Sequence, residues 1–183
     1  HRDLHSFPTR RSSDLIAAVE KNPVLARFRF YNEDKWVNGG HNRSTINRYL
    51  GTDRELRREK PFVLYNDEPP VLLGGDLGPN PVEQLLHGLA GCMTTSTVYH
   101  AAARGIAIQE METSFEGRID LHGFLGLNDD VRPGYQDIKV KVRIRADGAS
   151  AEQKRELETF GPRFSPVFDT LSKIGRASCR ERG

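Results

Sequence analysis

One segment limits the possible folds more than any other. Residues 78–105, GPNPVEQLLHGLAGCMTTSTVYHAAARG, carry the start and stop marks of a single long helix. Asn80 suits the N-cap, Pro81 the first helical position, and Glu83 completes a capping-box pattern. Gly105 stands where a C′ glycine belongs, just after Arg104 at the negative helix end. A helix over 81–104 would run ~36 Å at 1.5 Å per residue, long enough to be the spine of a small domain. Cys92 sits in its middle, where the helix N-terminus gives a thiol no help. Its activation would need a cation from elsewhere in the chain.

Around that helix the pattern is mixed. Residues 16–28 read as a short helix broken at Pro23. The stretch from Arg27 to Leu50 alternates as two strands about an Asn38-Gly39-Gly40 hairpin signal. The charge run 52–60 reads as a solvated loop or edge, 61–67 as a third strand, and 68–79 as a loop punctuated by Pro and Gly. Residues 106–127 and 135–147 read as strands. In the second, Ile138, Val140, Val142 and Ile144 alternate with Lys139, Lys141, Arg143 and Arg145, so one face is packed and one wet. Residues 150–161 form an amphipathic helix capped at Ser150, and 162–171 turn back toward the core. Antiparallel strands around one or two long helices make this an α+β fold.

The two ends read as foreign to the domain. Residues 5–15 can be written in codons whose reverse complement, in another frame, encodes Lys-Ile-Gly-Arg-Ala-Ser-Cys-Arg-Glu-Arg, the run at 173–182. One inverted oligonucleotide, resembling a translated sequencing-library adapter, accounts for both. The expected organisation is therefore a foreign segment at 1–15, one domain at 16–172 that lacks its last strand, and a foreign segment at 173–183. Residues 173–183 show no alternation, so they are not expected to replace an edge strand.

That division changes the electrostatic reading. The whole chain has 27 basic and 25 acidic residues. Without the seven basic and three acidic residues of the two ends, the totals fall to 20 and 22, a formal net of −2. The basic balance is then no argument for a nucleic-acid partner. Mean hydropathy is −0.59 with 37% hydrophobic residues, and no run is apolar enough for a membrane span. Positions 1–15 have no signal-peptide core, and two cysteines make no disulfide framework, so a reduced, cytoplasmic protein is expected. Cys179 lies in the presumed foreign end, which leaves Cys92 as the domain's own thiol. Gly88, Leu89, Thr95, Ser96 and Tyr99 share its helical face, which is more polar than a leucine seam. His41, His87 and His100 lack paired ligand spacing, so no metal site is expected.

The segment GPNPVEQLLHGLAGC resembles the cysteine helix of the OsmC/Ohr family. GGHNRSTI (39–46) and SPVFDTL (165–171) stand where that family carries its other functional segments. The likeness covers about residues 28–172. It implies an intertwined homodimer, with sheets of both subunits wrapping long central helices. The implied activity is reduction of organic hydroperoxides by a cysteine that an arginine activates, with no cofactor and an external thiol as reductant. Carried over by position, Cys92 is the nucleophile and Arg43 the activating residue. Two positions depart from the pattern. Val82 stands where active members have a glutamate, since Glu83 falls on the opposite helix face and reads as a cap. Ser165 stands where they have the resolving cysteine. These departures keep open a non-catalytic member that binds a hydrophobic small molecule, or one whose thiol senses redox state.

Overall fold

The computed structural model describes residues 9–173. The chain divides into two compact units, with the boundary between Leu85 and Leu86. Residues 174–183, and with them Cys179 and the expectation that they do not form an edge strand, lie outside the described residues.

The first unit is a sheet with short helical elements. Helix α1 (Thr9–Lys21) runs across the expected 15/16 boundary and is followed by a 3-10 turn at Pro23–Ala26. The break is local: Asn22 Oδ1 caps the turn by accepting from the Val24 N–H. Strands β1 (Arg29–Phe30), β2 (Glu33–Asn38), β3 (His41–Gly51) and β4 (Arg54–Asn66) make one antiparallel sheet. β3 is its centre, pairing with β1 and β2 along one edge and with β4 along the other. The Gly39–Gly40 turn joins β2 to β3 as the sequence suggests.

Of the two readings of the charge run at 52–60, the edge holds and the loop does not. After a two-residue turn at Thr52 and Asp53 it forms the first half of β4, which among the described residues pairs with β3 alone. Both turn residues have positive φ, 52° and 62°, the backbone of a type I′ hairpin turn. Pairing with β3 supplies the hydrogen bonds that the residues' own propensities do not.

The second unit holds most of α2 (Pro81–Ala103), then β5 (Glu110–Arg118), α3 (Leu121–Phe124), β6 (Asp137–Arg145), α4 (Ala151–Phe164) and α5 (Pro166–Lys173). The marks read at both ends of α2 act as expected. Asn80 Oδ1 accepts from the Val82 N–H at 2.8 Å, while the Asn80 N–H donates to Glu83 Oε2 at 2.9 Å. Glu83 is thus a capping residue. At the other end Gly105 takes φ 69°. The Ile106 and Gly105 N–H groups then return to the carbonyls of Ala101 and Ala102, a Schellman closure.

Strands β5 and β6 form a two-stranded antiparallel ribbon, shorter than the 106–127 and 135–147 segments read from sequence. Residues 121–124 are helical instead. On the ribbon's wet face lie four cross-strand ion pairs: Glu110–Arg145, Glu112–Arg143, Glu116–Lys139 and Arg118–Asp137. The other face looks inward, although Val142 stays 44% exposed. Ser150 and Gln153 close a full capping box on α4. That helix then continues past Pro162 to Phe164, and 166–173 are helical too, so 162–171 form no simple turn.

The core of this unit is Ala101, Ile106, Ala146, Leu157 and Phe160, with Ile108, Ile144, Ala149 and Phe164 packed on it. On α2, Leu89, Met93, Ser96, Thr97 and Ala101 are buried, the three- and four-residue spacing of one helix face. Gly161 lets α4 approach that face closely. A Cβ there would stand 3.1 Å from Met93 Cε and 3.3 Å from Thr97 Oγ1.

Candidate functional site

Cys92 is a free thiol of intermediate exposure, one position before the buried Met93. It lies at the border between the packed and open faces of α2. Leu89, Met93 and Ser96 face inward, while Gly88, Thr95 and Tyr99 are exposed. A Cβ placed on Gly88 or Gly91 would meet nothing within 4 Å, so the helix surface beside the thiol is open. The polar, small-residue character read from sequence therefore belongs to an accessible flank.

Arg43 is an exposed residue of β3, opposite Lys35 of β2 and Tyr65 of β4. It belongs to the sheet unit and Cys92 to the other, so the two expected site residues sit in different units. His41, two residues before Arg43 and on the same strand face, tilts against the Tyr65 ring at 5.7 Å. Its Nε2 is sealed from solvent and meets no hydrogen-bond partner among the described residues.

The two departures from the family pattern have structural roles. Val82 lies in the first turn of α2, where its N–H is held by the Asn80 cap. Ser165 is 1% exposed and joins α4 to α5. Its Oγ accepts from the Phe168 N–H at 3.1 Å, while its own N–H donates to the Gly161 carbonyl at 3.0 Å. A serine oxygen at this junction caps a helix.

An apolar cavity of about 490 Å³ lies within the second unit. Met93 and Thr97 of α2, Met111 of β5, Val140 and Ile144 of β6, and Phe168 of α5 help to wall it. Cys92 does not line it. A cavity of this size is within the range that holds small ligands.

Near the C-terminal end of α2, His100 stacks on Phe164 with ring centroids 3.6 Å apart. Arg104 Nη1 lies 3.3 Å from His100 Nδ1 and also donates to the His100 carbonyl. The same guanidinium covers the Phe160 ring and pairs with Glu156 at 2.9 Å. Burial, then the charges of Arg104 and Arg163, hold the His100 pKa below its ordinary value of 6.5. The imidazole is thus a neutral packing group. Among the described residues, no cluster of three or more His, Cys, Asp or Glu side chains is arranged to hold a metal ion.

Sequence reasoning missed Asp67, which is 2% exposed at the end of β4. It was read as the last residue of a strand, and nothing local signals the distant N–H groups that it gathers. Its carboxylate accepts from the backbone of Glu68 at 2.8 Å, Gly75 at 3.0 Å and Leu77 at 3.2 Å. Burial pulls its pKa up, but those three hydrogen bonds and the charge of His41 outweigh it. The net pKa lies below the ordinary carboxylate value.

A family model described as OsmC-like protein matches residues 74–175, more than half of the chain, and the chain belongs to that family. Solved structures agree on the fold. An OsmC-like protein from Mycoplasma pneumoniae is 18% identical, with a TM-score of 0.60 over 80% of this chain and 89% of that one. An OsmC-like protein of unknown function from Vibrio cholerae is 9% identical, with a TM-score of 0.59 over 79% and 94%. A Legionella pneumophila structure named as organic hydroperoxide resistance protein OsmC is 14% identical, with a TM-score of 0.51 over 79% and 90%. No curated protein matches the sequence. Among the described residues no helix is long and apolar enough to cross a membrane.

Proposed function

We propose that the chain is a thiol-dependent peroxidase of the OsmC-like family, reducing organic hydroperoxides in oxidative-stress defence. The observation that carries this reading is a free cysteine in the middle of the family's long helix, on an open flank. The name of the Legionella pneumophila neighbour adds support for hydroperoxides as substrate class.

In this reading Cys92 reacts as a thiolate, with Arg43 as the cation that stabilises it and orients the peroxide through paired donors. The thiolate attacks the outer peroxide oxygen and the O–O bond breaks. The departing alkoxide takes a proton from water and leaves as the alcohol. Sulfur is oxidised to a sulfenic acid and the peroxide is reduced. Ser165 has no sulfur with which to resolve that product. An external thiol therefore attacks the sulfenic sulfur, releases water and forms a mixed disulfide, which a second thiol reduces. The protein acts as a cytoplasmic homodimer with no bound cofactor. The exposed aromatic residues of the sheet unit supply apolar surface that a second subunit would cover.

Peroxide consumption with an alkyl hydroperoxide and a dithiol tests this. Turnover is expected in the wild type and absent from Cys92→Ser. Equal turnover in both proteins would overturn the reading. Mass spectrometry of residues 16–172 after peroxide treatment should show added oxygen on Cys92 and no internal disulfide.

The apolar cavity favours a second reading, a member that binds a hydrophobic small molecule without turning it over. Cys92 inert to alkylation at neutral pH, together with saturable binding of an apolar fluorophore, would support it over the first.

A further inference from the structure

The segment between the Arg43 hairpin and the cysteine helix folds around one buried carboxylate, beside backbone bonds from the Asp76 N–H to the Glu68 carbonyl at 3.1 Å and from the Gly74 N–H to the Pro69 carbonyl at 3.2 Å. Asp67 draws the Glu68, Gly75 and Leu77 N–H groups onto its two oxygens, closing residues 67–77 into a compact loop. The loop has little room to relax. A Cβ on Gly74 would meet the Glu68 carbonyl oxygen at 1.8 Å, and one on Gly78 the Tyr65 carbonyl oxygen at 2.6 Å.

This clasp touches both of its neighbours. On one side is the Gly39–Gly40 turn that aims β3. A Cβ on Gly40 would stand 3.4 Å from Asp67 Oδ1 and 3.0 Å from Glu68 Cγ. On the other side is the start of α2. Glu68 accepts from the Asn80 side-chain amide, the residue that caps the helix. Two more bonds run parallel to it: Asn66 Nδ2 donates to the Pro79 carbonyl at 3.1 Å, and Gln84 Nε2 to the Tyr65 carbonyl at 2.9 Å. Tyr65 is the register partner of Arg43.

We propose that Asp67 is a positioning residue for the cysteine site: it fixes the Arg43 hairpin to the first turn of the helix that carries Cys92. It touches neither the peroxide nor the sulfur, and it acts through the backbone that Arg43 stands on. The inference rests on the reading that Arg43 activates Cys92. A charged carboxylate suits the task, because three N–H donors converge on it and an amide would turn an NH₂ group toward some of them.

The experiment follows the rate of Cys92 alkylation by iodoacetamide against pH, in the full chain, for wild type, Arg43→Gln, Asp67→Asn and the double variant. Circular dichroism checks that each is folded. Arg43→Gln is expected to slow alkylation at pH 7 by about tenfold, as loss of the cation that favours the thiolate would do. Asp67→Asn should move the pH profile in the same direction by roughly three- to tenfold, and the double variant should be no slower than Arg43→Gln alone. Gly40→Val, which drives a side chain into Asp67 and Glu68 while leaving both carboxylates in place, should reproduce the shift. It decides the matter if Asp67→Asn does not fold. A merely structural role would lower stability without moving the alkylation profile.

If Arg43→Gln leaves the profile unchanged, the reading of the site itself fails and the role of Asp67 falls with it. If Arg43→Gln moves the profile but neither Asp67→Asn nor Gly40→Val does, the positioning role is overturned and the site survives. Additive losses in the double variant also overturn it.

Discussion

The two units bury different things. Every buried hydrophobic residue among those described, Leu89, Met93, Ala101, Ile106, Ala146, Leu157 and Phe160, belongs to the second unit. In the sheet unit the buried polar residues are Ser44 and Asp67, while Phe30, Trp36, Phe62 and Tyr65 are exposed. Every residue of β2 is exposed. The helical unit is therefore held by a packed core, and the sheet unit by strand pairing and by the Asp67 clasp. A sheet with aromatic residues open to water needs cover to become stable, and hydrogen bonds alone supply little of it.

Phe160, whose side chain is fully buried, is the residue on which the helical unit's core depends most. Phe160→Ala should cost about 3–5 kcal/mol in urea unfolding, because it removes the centre of the core and leaves a cavity. Loss of less than about 1 kcal/mol would mean that the second unit does not depend on this core. A smaller loss, about 1–3 kcal/mol, is expected for Gly161→Val, where the added methyl groups press on Met93 and Thr97. Calorimetry of that variant would sharpen the picture of closely packed helices, and an unchanged melting temperature would refute it.

His100 gives a weaker, pH-dependent effect. Its folded pKa lies below 6.5, so on acidification the unfolded chain takes up a proton that the folded chain resists. Its contribution is fully present above pH 6.5 and is lost as pH falls from there through the folded pKa. Melting curves between pH 7.5 and 5.5 should fall more steeply for wild type than for His100→Gln. Parallel curves would show that this histidine titrates as it does in the unfolded chain.

The smallest effect on folding is expected in the sheet. Phe30→Ser, at a residue 73% exposed, should change the stability of the dilute chain by less than about 0.5 kcal/mol. Its effect should appear in sedimentation instead, as weaker self-association. A large loss of stability with no change in association would show that this face is already covered within one chain.

What could be read from sequence was what is decided locally. Asn80, Pro81, Glu83 and Gly105 mark both ends of α2 because caps are made within a few residues of the chain. The alternation of β6 was legible for the same reason, since each residue carries its own preference for core or water. The first half of β4 was legible only as a solvated loop or an edge, without a choice between them. Its turn uses Thr52 and Asp53 rather than the glycine that usually announces positive φ, and only β3 makes the charged run a strand. Pro162 misled in the opposite sense, because α4 absorbs the missing donor and runs on. In the candidate site, Cys92 and Arg43 could be picked out by resemblance. Asp67 could not, since its partners lie eight and ten residues away and its role exists only after the loop has closed.

The ion pairs along β5 and β6 also work as a code. Each is exposed and worth little by itself. Their order matters more. Three rungs place an acid on β5 against a base on β6, and the fourth, Arg118–Asp137, is reversed. Slide one strand by two residues and the apolar face still fits, so hydrophobicity alone cannot detect the error. The charges can. A slip one way sets Glu116 opposite Asp137, and a slip the other way sets Arg118 opposite Lys139. A uniform ladder would read the same after such a slip; a single inverted rung sets like charges against each other on a two-residue slip in either direction.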